Sequence, residues 1–402
     1  MRKTRFVCIS DTHNASPGGA FPLPKGDVLI HAGDMTNQGS FRELQKTVKW
    51  IEESNFEAKI VIAGMFSPCK RNQANRLTMP GNHDITVDTD FYEQYGLYFH
   101  NQDLQDPEKC QKLLEQSASI LWLKHEAARV NLASPNGPRT TFKVYGSPYS
   151  PAKGMWAFGY GPDEASRIWD EIPLDSDIVV THTPPKYHCD ESKERRAAGC
   201  PALREALWRV RPRLAICGHV HEGRGAERVR WDLGNSNIKY KENNTAPWVD
   251  PGLGNKKLSL VDLTRKSGTA IDNDGSCGMD VVGTATPATS RPPLPMLVAT
   301  ASIQTSEGSA FSPNRSAKVG SSGLTTAIPA APPTPLPPVT RGQGGIPPSQ
   351  RCDLEALTGR LGRRETCIVN AAIMASSWPH GALGGKKFNK PIVVDIDLPV
   401  WE

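Results

Sequence analysis

Five short fragments of the 402-residue chain carry side chains suited to metal chemistry. They are Ser10-Asp11-Thr12-His13, Ala32-Gly33-Asp34, Gly81-Asn82-His83-Asp84, Thr181-His182 and Gly218-His219-Val220-His221. Imidazoles and carboxylates together suit Mn, Fe or Zn. Two divalent ions roughly 3.5–4 Å apart need a shared anionic bridge, which an Asp on a tight Gly-Asp turn can supply. Singly the fragments carry little, because Asp-x-His and Gly-Asp are common by chance. Gly-Asn-His-Asp and Gly-His-x-His are much rarer, and the ordered set of five points to one shared dinuclear site.

The elements that must position these residues follow from the apolar runs. Phe6–Ile9, Val28–Ile30, Lys59–Ala63, Phe142–Tyr145, Asp177–Thr181 and Leu214–Cys217 are expected as short buried strands, and Lys257–Leu263 as a half-buried one. Ser40 to Asn55 has apolar residues at spacings of three and four, with a Ser40/Glu43 capping-box pair at its start, and is expected to be an amphipathic helix. Pro201 to Val210 is expected as a second, short helix. Strands interleaved with helices define an α/β protein. Asp11, Asp34, His182 and His219 each follow a strand, and the carboxyl ends of strands form the crevice where α/β proteins bind ligands.

This ordered set resembles the calcineurin-like metallophosphoesterase superfamily. Within it, the chain is similar to the small metallophosphoesterase-domain proteins of the class III cyclic nucleotide phosphodiesterase type. Tyr145–Tyr149 with Trp156–Phe158, Gly218–Gly223, and the pairing of Cys367–Ala371 with Asn389–Asp395 carry the narrower likeness. The resemblance covers about residues 5–265 and 360–402. It implies a four-layer α/β/β/α sandwich of two mixed sheets with the site at their edge. It also implies that Asp11, His13 and His221 hold one divalent metal, that Asn82, His182 and His219 hold the other, and that Asp34 bridges them. His83 would protonate the leaving group, with Asp84 orienting it. The implied reaction is attack on phosphorus by a hydroxide bridging the two ions. The expected substrate is a small phosphodiester, cyclic-nucleotide-like or otherwise. A phosphomonoesterase with the same site and a non-catalytic scaffold of the same fold are the alternatives. Protein serine/threonine phosphatases carry Gly-Asp-x-x-Asp-Arg-Gly and an Arg before Gly-Asn-His. Here Met-Thr-Asn-Gln-Gly follows Asp34 and Pro80 precedes Gly81, which argues against that branch.

Composition narrows the setting. The net charge of +5 is mild and unclustered, so there is no strong nucleic-acid signal. No apolar run approaches the ~20 residues of a membrane span. The basic N-terminus reaches Asp11 too soon for a signal-peptide core, and the nine cysteines include no Cys-x-x-Cys. An intracellular, cytoplasmic setting is expected. Residues 281–350 are rich in Pro, Gly, Ser and Thr, with Phe311 the only aromatic, and are expected to be a disordered insertion. It would divide the main part of one domain (1–280) from C-terminal strands that complete it (351–402). The run Pro329 to Pro338 is a candidate SH3-type ligand. Trp156 and Phe158 suit either core packing or stacking on a nucleobase.

One segment stands apart. Removing residues 65–81 would rejoin Val61-Ile-Ala-Gly64 directly to Asn82-His83-Asp84, the continuity expected of a strand running into its site loop. Gly64-Met65-Phe66 can be encoded with a splice-donor-like GTATGT, and Pro80-Gly81 with an acceptor-like CAG. We read this segment as translated intron sequence, with a genuine loop insertion as the alternative.

Overall fold

The computed structural model describes residues 1–63, 83–152, 154–192, 197–233, 242–274, 362–375 and 386–401. Asn82, the 65–81 segment, the 281–350 region and its proline run lie outside these residues.

Two mixed sheets face each other. The first contains β1 (Arg2–Ile9), β2 (Val28–His31), β3 (Ala58–Ile62), β4 (Ile120–Leu123), β13 (Ser259–Leu263) and β15 (Ile392–Leu398). Its order is β13-β15-β1-β2-β3-β4, with only the β1–β15 pair antiparallel. The second contains β5 (Glu126–Asn131), β6 (Thr141–Ser147), β9 (Ile178–Thr181), β10 (Leu214–Cys217), β11 (Gly225–Trp231), β12 (Glu242–Pro247) and β14 (Glu365–Asn370), in the order β12-β11-β14-β10-β9-β6-β5. A small two-stranded pair, β7 (Ser150–Pro151) with β8 (Gly159–Tyr160), stands apart. Both late strands are central: β15 lies beside β1, and β14 lies between β10 and β11.

Strand side chains alternate between faces, and the alternation makes the layers. Phe6, Cys8, Val28, Ile30, Ile60 and Ile62 of the first sheet meet Phe142, Val144, Ile178, Val180, Leu214, Ile216 and Val369 of the second. Phe6 and Phe142 are edge-to-face with centroids 5.4 Å apart, so Phe6→Ala is expected to cost about 3–5 kcal/mol. The intervening residues point outward to helices. Val7, Ile9, Leu29 and Val61 join Leu44, Val48 and Ile51 of α1 (Phe41–Glu53), with α2 (Thr89–Phe99) and α3 (Pro107–Glu115) alongside. On the other side Tyr145, Val179, Ala215 and Ile368 pack with α4 (Ala165–Asp170) and α5 (Pro201–Val210). The result is the expected α/β/β/α sandwich. α1 begins with the expected capping box: Ser40 accepts from the Glu43 amide, and the Glu43 side chain accepts from the Ser40 amide. Among the described residues no helix is long and apolar enough to cross a membrane.

Candidate metal centre

β1, β2, β9 and β10 end at one rim, and each hands the chain to a site residue. The turns are tight enough to force unusual backbone. Asp11, His13, Asp34 and His219 all have positive φ, at 56°, 42°, 51° and 68°. Such strain in non-glycine residues concentrates at functional sites. Two glycines allow the sheets to close here. A Cβ on Gly33 would lie 2.6 Å from His182 Nδ1, and one on Gly218 would collide with Ser10 and Asp11.

The candidate ligands converge. Asp11, His13 and His221 present donor atoms in one group, and Asp11, Asp34 and His182 in another. His221 Nε2 lies 3.3 Å from Asp11 Oδ1 and 3.3 Å from His13 Nε2. Asp34 Oδ2 lies 3.4 Å from His182 Nε2 and 3.9 Å from His13 Nε2, and so stands between the two groups. Donors sharing one tetrahedral ion at about 2.0–2.2 Å stand roughly 3.3–3.6 Å from each other, the spacing found here. The His219 amide donates to both Asp11 oxygens, and its ring centroid is 5.0 Å from that of His182.

His182 gives the clearest sign of an intended cation. Its Nδ1 hydrogen is donated to the Ala32 carbonyl at 2.8 Å, which leaves Nε2 with the lone pair. That Nε2 is buried and makes no hydrogen bond. A backbone acceptor behind an exposed ring lone pair is how metal-binding histidines are ordinarily held. Burial lowers the basicity of this ring, but Asp34 and Asp11 outweigh it and raise the imidazole to about 9, so without metal Nε2 carries a proton facing Asp34, and a bound cation would take that proton's place. Burial likewise opposes ionisation of Asp11 and Asp34, yet the surrounding imidazoles hold both below the usual carboxylate range. The rim thus concentrates anionic charge where positive charge is needed, and the donor set fits divalent metal.

One expectation changes. Asp84 does not orient the His83 ring. Its carboxylate accepts from the Met35 amide at 3.1 Å, the Thr36 amide at 2.9 Å and the Thr36 hydroxyl at 2.7 Å, bracing the turn after Asp34. Burial, reinforced by Asp34, raises Asp84 to about 7. His83 is set by other groups. Its amide donates to Asp34 Oδ1 at 2.8 Å, and its Nδ1 lies 2.5 Å from the Asn37 carbonyl oxygen. Trp156 is half-buried against the core, as one of the two readings expected, and lies beside the site. Its ring lies 4.1 Å from His83 and 5.2 Å from Phe99, while Phe158 is buried in the core.

Two supports have roles that no sequence motif assigned. Asn370, at the end of β14, donates to the Cys189 and Val220 carbonyls and so ties down the loop carrying His219 and His221. Thr12 bonds the buried His31 ring at 2.9 Å.

A two-sheet α/β sandwich with a histidine–aspartate cluster at its shared rim defines a class of metal-site proteins. The family model for calcineurin-like phosphoesterases matches residues 4–223, and the chain belongs to that family. It is 34% identical over 229 residues to human metallophosphoesterase domain-containing protein 1, covering 55% of this chain and 62% of that protein. It is 37% identical over 231 residues to a probable rhamnogalacturonate lyase C of Emericella nidulans, covering 57% of this chain but 18% of the lyase. A Caenorhabditis elegans protein, UPF0046 protein K07C11.7, is 29% identical over 221 residues, covering 55% of this chain and 64% of that protein. The chain therefore spans less than two thirds of each of these curated relatives.

Proposed function

We propose that this chain is a metal-dependent phosphoesterase that hydrolyses a small phosphodiester, cyclic-nucleotide-like or otherwise. The observation that carries the reading is the convergence of Asp11, Asp34 and the unpartnered Nε2 of buried His182, beside the Asp11–His13–His221 group. Asp11, His13 and His221 would hold one divalent ion, Asn82, His182 and His219 would hold the other, and Asp34 would be available to both. Bound divalent ions supply charge neutralisation at the phosphoryl oxygens and lower the pKa of water to near neutrality. His83 holds the proton for the leaving oxygen. Its Nδ1 faces a carbonyl that can only accept, so the ring hydrogen sits on Nδ1 and Nε2 is the nitrogen that exchanges protons. Asp84 fixes the turn that presents Asp34.

The test is turnover of chromogenic bis-ester and mono-ester phosphates by the full chain, with Mn²⁺ added and then with chelator. Metal-dependent bis-ester hydrolysis, faster than mono-ester hydrolysis, is the expected result. A mono-ester preference would move the substrate class, and metal binding without turnover of either ester would make the chain a scaffold.

A further inference from the structure

Lys386 belongs to the C-terminal segment, 163 residues beyond the end of the family match, yet it reaches the site rim. Its ammonium donates to the His13 carbonyl at 2.8 Å and to Asn37 Oδ1 at 2.6 Å. Asn37 is gripped from its other end as well. Its side-chain amide donates to Glu43 Oε1 at 2.6 Å, and its backbone amide meets the same oxygen at 3.2 Å. Glu43 is itself fixed by the capping box at the start of α1. The carbonyl of this doubly clamped residue is the group that meets His83 Nδ1. Trp156 lies against the same imidazole, at a centroid distance of 4.1 Å.

We propose that Lys386 and Asn37 are positioning residues for His83, with the C-terminal segment completing the leaving-group side of the site. This rests on the reading of His83 as the proton donor. A carbonyl acceptor serves that role in two ways. It fixes the tautomer, which leaves Nε2 as the nitrogen that transfers the proton, and it holds the ring in one orientation. In the step itself a water-derived hydroxide bonds to phosphorus as the bond between phosphorus and the leaving oxygen breaks, the electron pair of the broken bond goes to the leaving oxygen, and the proton on Nε2 follows it. The carbonyl can do this only if it stays in place. Asn37 lies in the segment between Asp34 and α1, where its own backbone has no strand to hold it. The Glu43 and Lys386 contacts supply that restraint. The His13 carbonyl gives the Lys386 ammonium a second anchor, which holds it against Asn37.

The test uses the full chain loaded with Mn²⁺ and two bis-ester phosphates, one with a nitrophenolate leaving group and one with an alkoxide. A good leaving group needs little protonation, so loss of a proton donor shows mainly on the alkoxide. His83→Ala is expected to lose about 10²–10³-fold on the alkoxide ester and much less on the nitrophenyl ester. Lys386→Met and Asn37→Ala are expected to lose about tenfold on the alkoxide ester and under about twofold on the nitrophenyl ester. KM and metal content should be unchanged, and Lys386→Arg should restore most of the rate. In the His83→Ala background, Lys386→Met should cost nothing further, because its effect passes through the missing ring.

Equal losses on both esters, a full additional loss in the His83→Ala background, lost metal, or no loss at all would each overturn the positioning role. If His83→Ala itself loses both esters equally, the reading of His83 fails first. That result is distinct from a leaving-group-dependent His83→Ala paired with an indifferent Lys386→Met.

Discussion

Two buried clusters in this protein use the same residue types and are built in opposite ways. At the rim, His182 Nε2 is buried without a hydrogen bond, 3.4 Å from Asp34, and the His13 and His221 rings point nitrogen at nitrogen. Away from the rim, His188 is equally buried but fully partnered. Its Nδ1 meets Glu227 at 3.3 Å, its Nε2 meets Glu242 at 3.2 Å, and Arg204 closes the arrangement on Glu242 with a forked contact at 2.5–2.8 Å. Satisfied polar groups stabilise a fold, whereas a buried ring nitrogen left without a hydrogen bond, as at His182, calls for a ligand. The difference teaches that histidine and carboxylate content alone does not mark a site. Where the second ring nitrogen points does.

The comparison is broken most severely at Asp34. Asp34→Asn keeps the shape and the acceptor for the His83 amide but removes the charge shared by both groups. Turnover is expected to fall about 10³-fold or more, with lowered metal occupancy by elemental analysis. Retention of two ions per chain would show that the rim's anionic charge is not what recruits them.

Removing metal should act on one cluster only. If the ions bind the folded rim and not the unfolded chain, saturation at about 100 times Kd adds about 2.7 kcal/mol of stability. Chelator is therefore expected to lower Tm by several degrees. His188→Gln should lower Tm by the same amount with and without chelator, since the clasp is satisfied by protein groups alone. Unequal shifts would mean that the two clusters are coupled.

The clasp also gives a pH dependence with a definite sign. Burial opposes a charged His188, but Glu227 and Glu242 outweigh it and raise the ring above its ordinary 6.5. That contribution is present below 6.5 and is lost as pH rises through the raised value. Burial also opposes ionisation of Glu227 and Glu242, but His188 draws both below 4.5, with Arg204 assisting at Glu242. Their contribution is present above 4.5 and is lost as pH falls through the lowered values. The clasp is therefore strongest between about pH 4.5 and 6.5. The stability difference between wild type and His188→Gln, measured by denaturant unfolding of metal-free protein, should peak there at about 1–3 kcal/mol. A difference that is flat across pH 4–8 would mean that His188 is held by packing against Trp231 rather than by charge.

Much of the rim was legible because its strands are buried on both faces. Phe6–Ile9, Val28–Ile30, Ile178–Val180 and Leu214–Cys217 are unbroken apolar runs, as parallel strands covered on both faces must be. The residues following them were therefore easy to place at one edge. β5, β11 and β12 were not legible, because they lie towards the ends of the second sheet and mix polar with apolar residues. α2 and α3 were missed as well, since the first has little one-sided apolar pattern and the second is only nine residues long. The role of Asp84 was misread because its partners are backbone amides 48 and 49 residues away, which no motif encodes. Lys386 was invisible for the same reason, as its acceptors lie 349 and 373 residues upstream.

The smallest expected effect tests the 65–81 segment. β3 ends at Ile62, and Trp122 Nε1 bonds the Ala63 carbonyl at 2.5 Å, so the chain is anchored up to that point. It is anchored again at His83, whose amide bonds Asp34. Removing residues 65–81 shortens the connection between Ala63 and His83 from 19 intervening residues to two, Gly64 and Asn82. Loop-closure entropy alone makes the shorter form more stable by about 1–2 kcal/mol. A shorter connection also holds Asn82 and His83 more tightly, which favours the reaction. The excised protein is therefore expected to show equal or higher kcat/KM and a Tm raised by a few degrees. A fall in either would make the segment a working part of the loop. Its origin is decided separately by peptide sequencing of native material. A peptide spanning Arg71 to Arg76 would exclude translated intron sequence, and a junction peptide reading Ile-Val-Ile-Ala-Gly-Asn-His-Asp would support it.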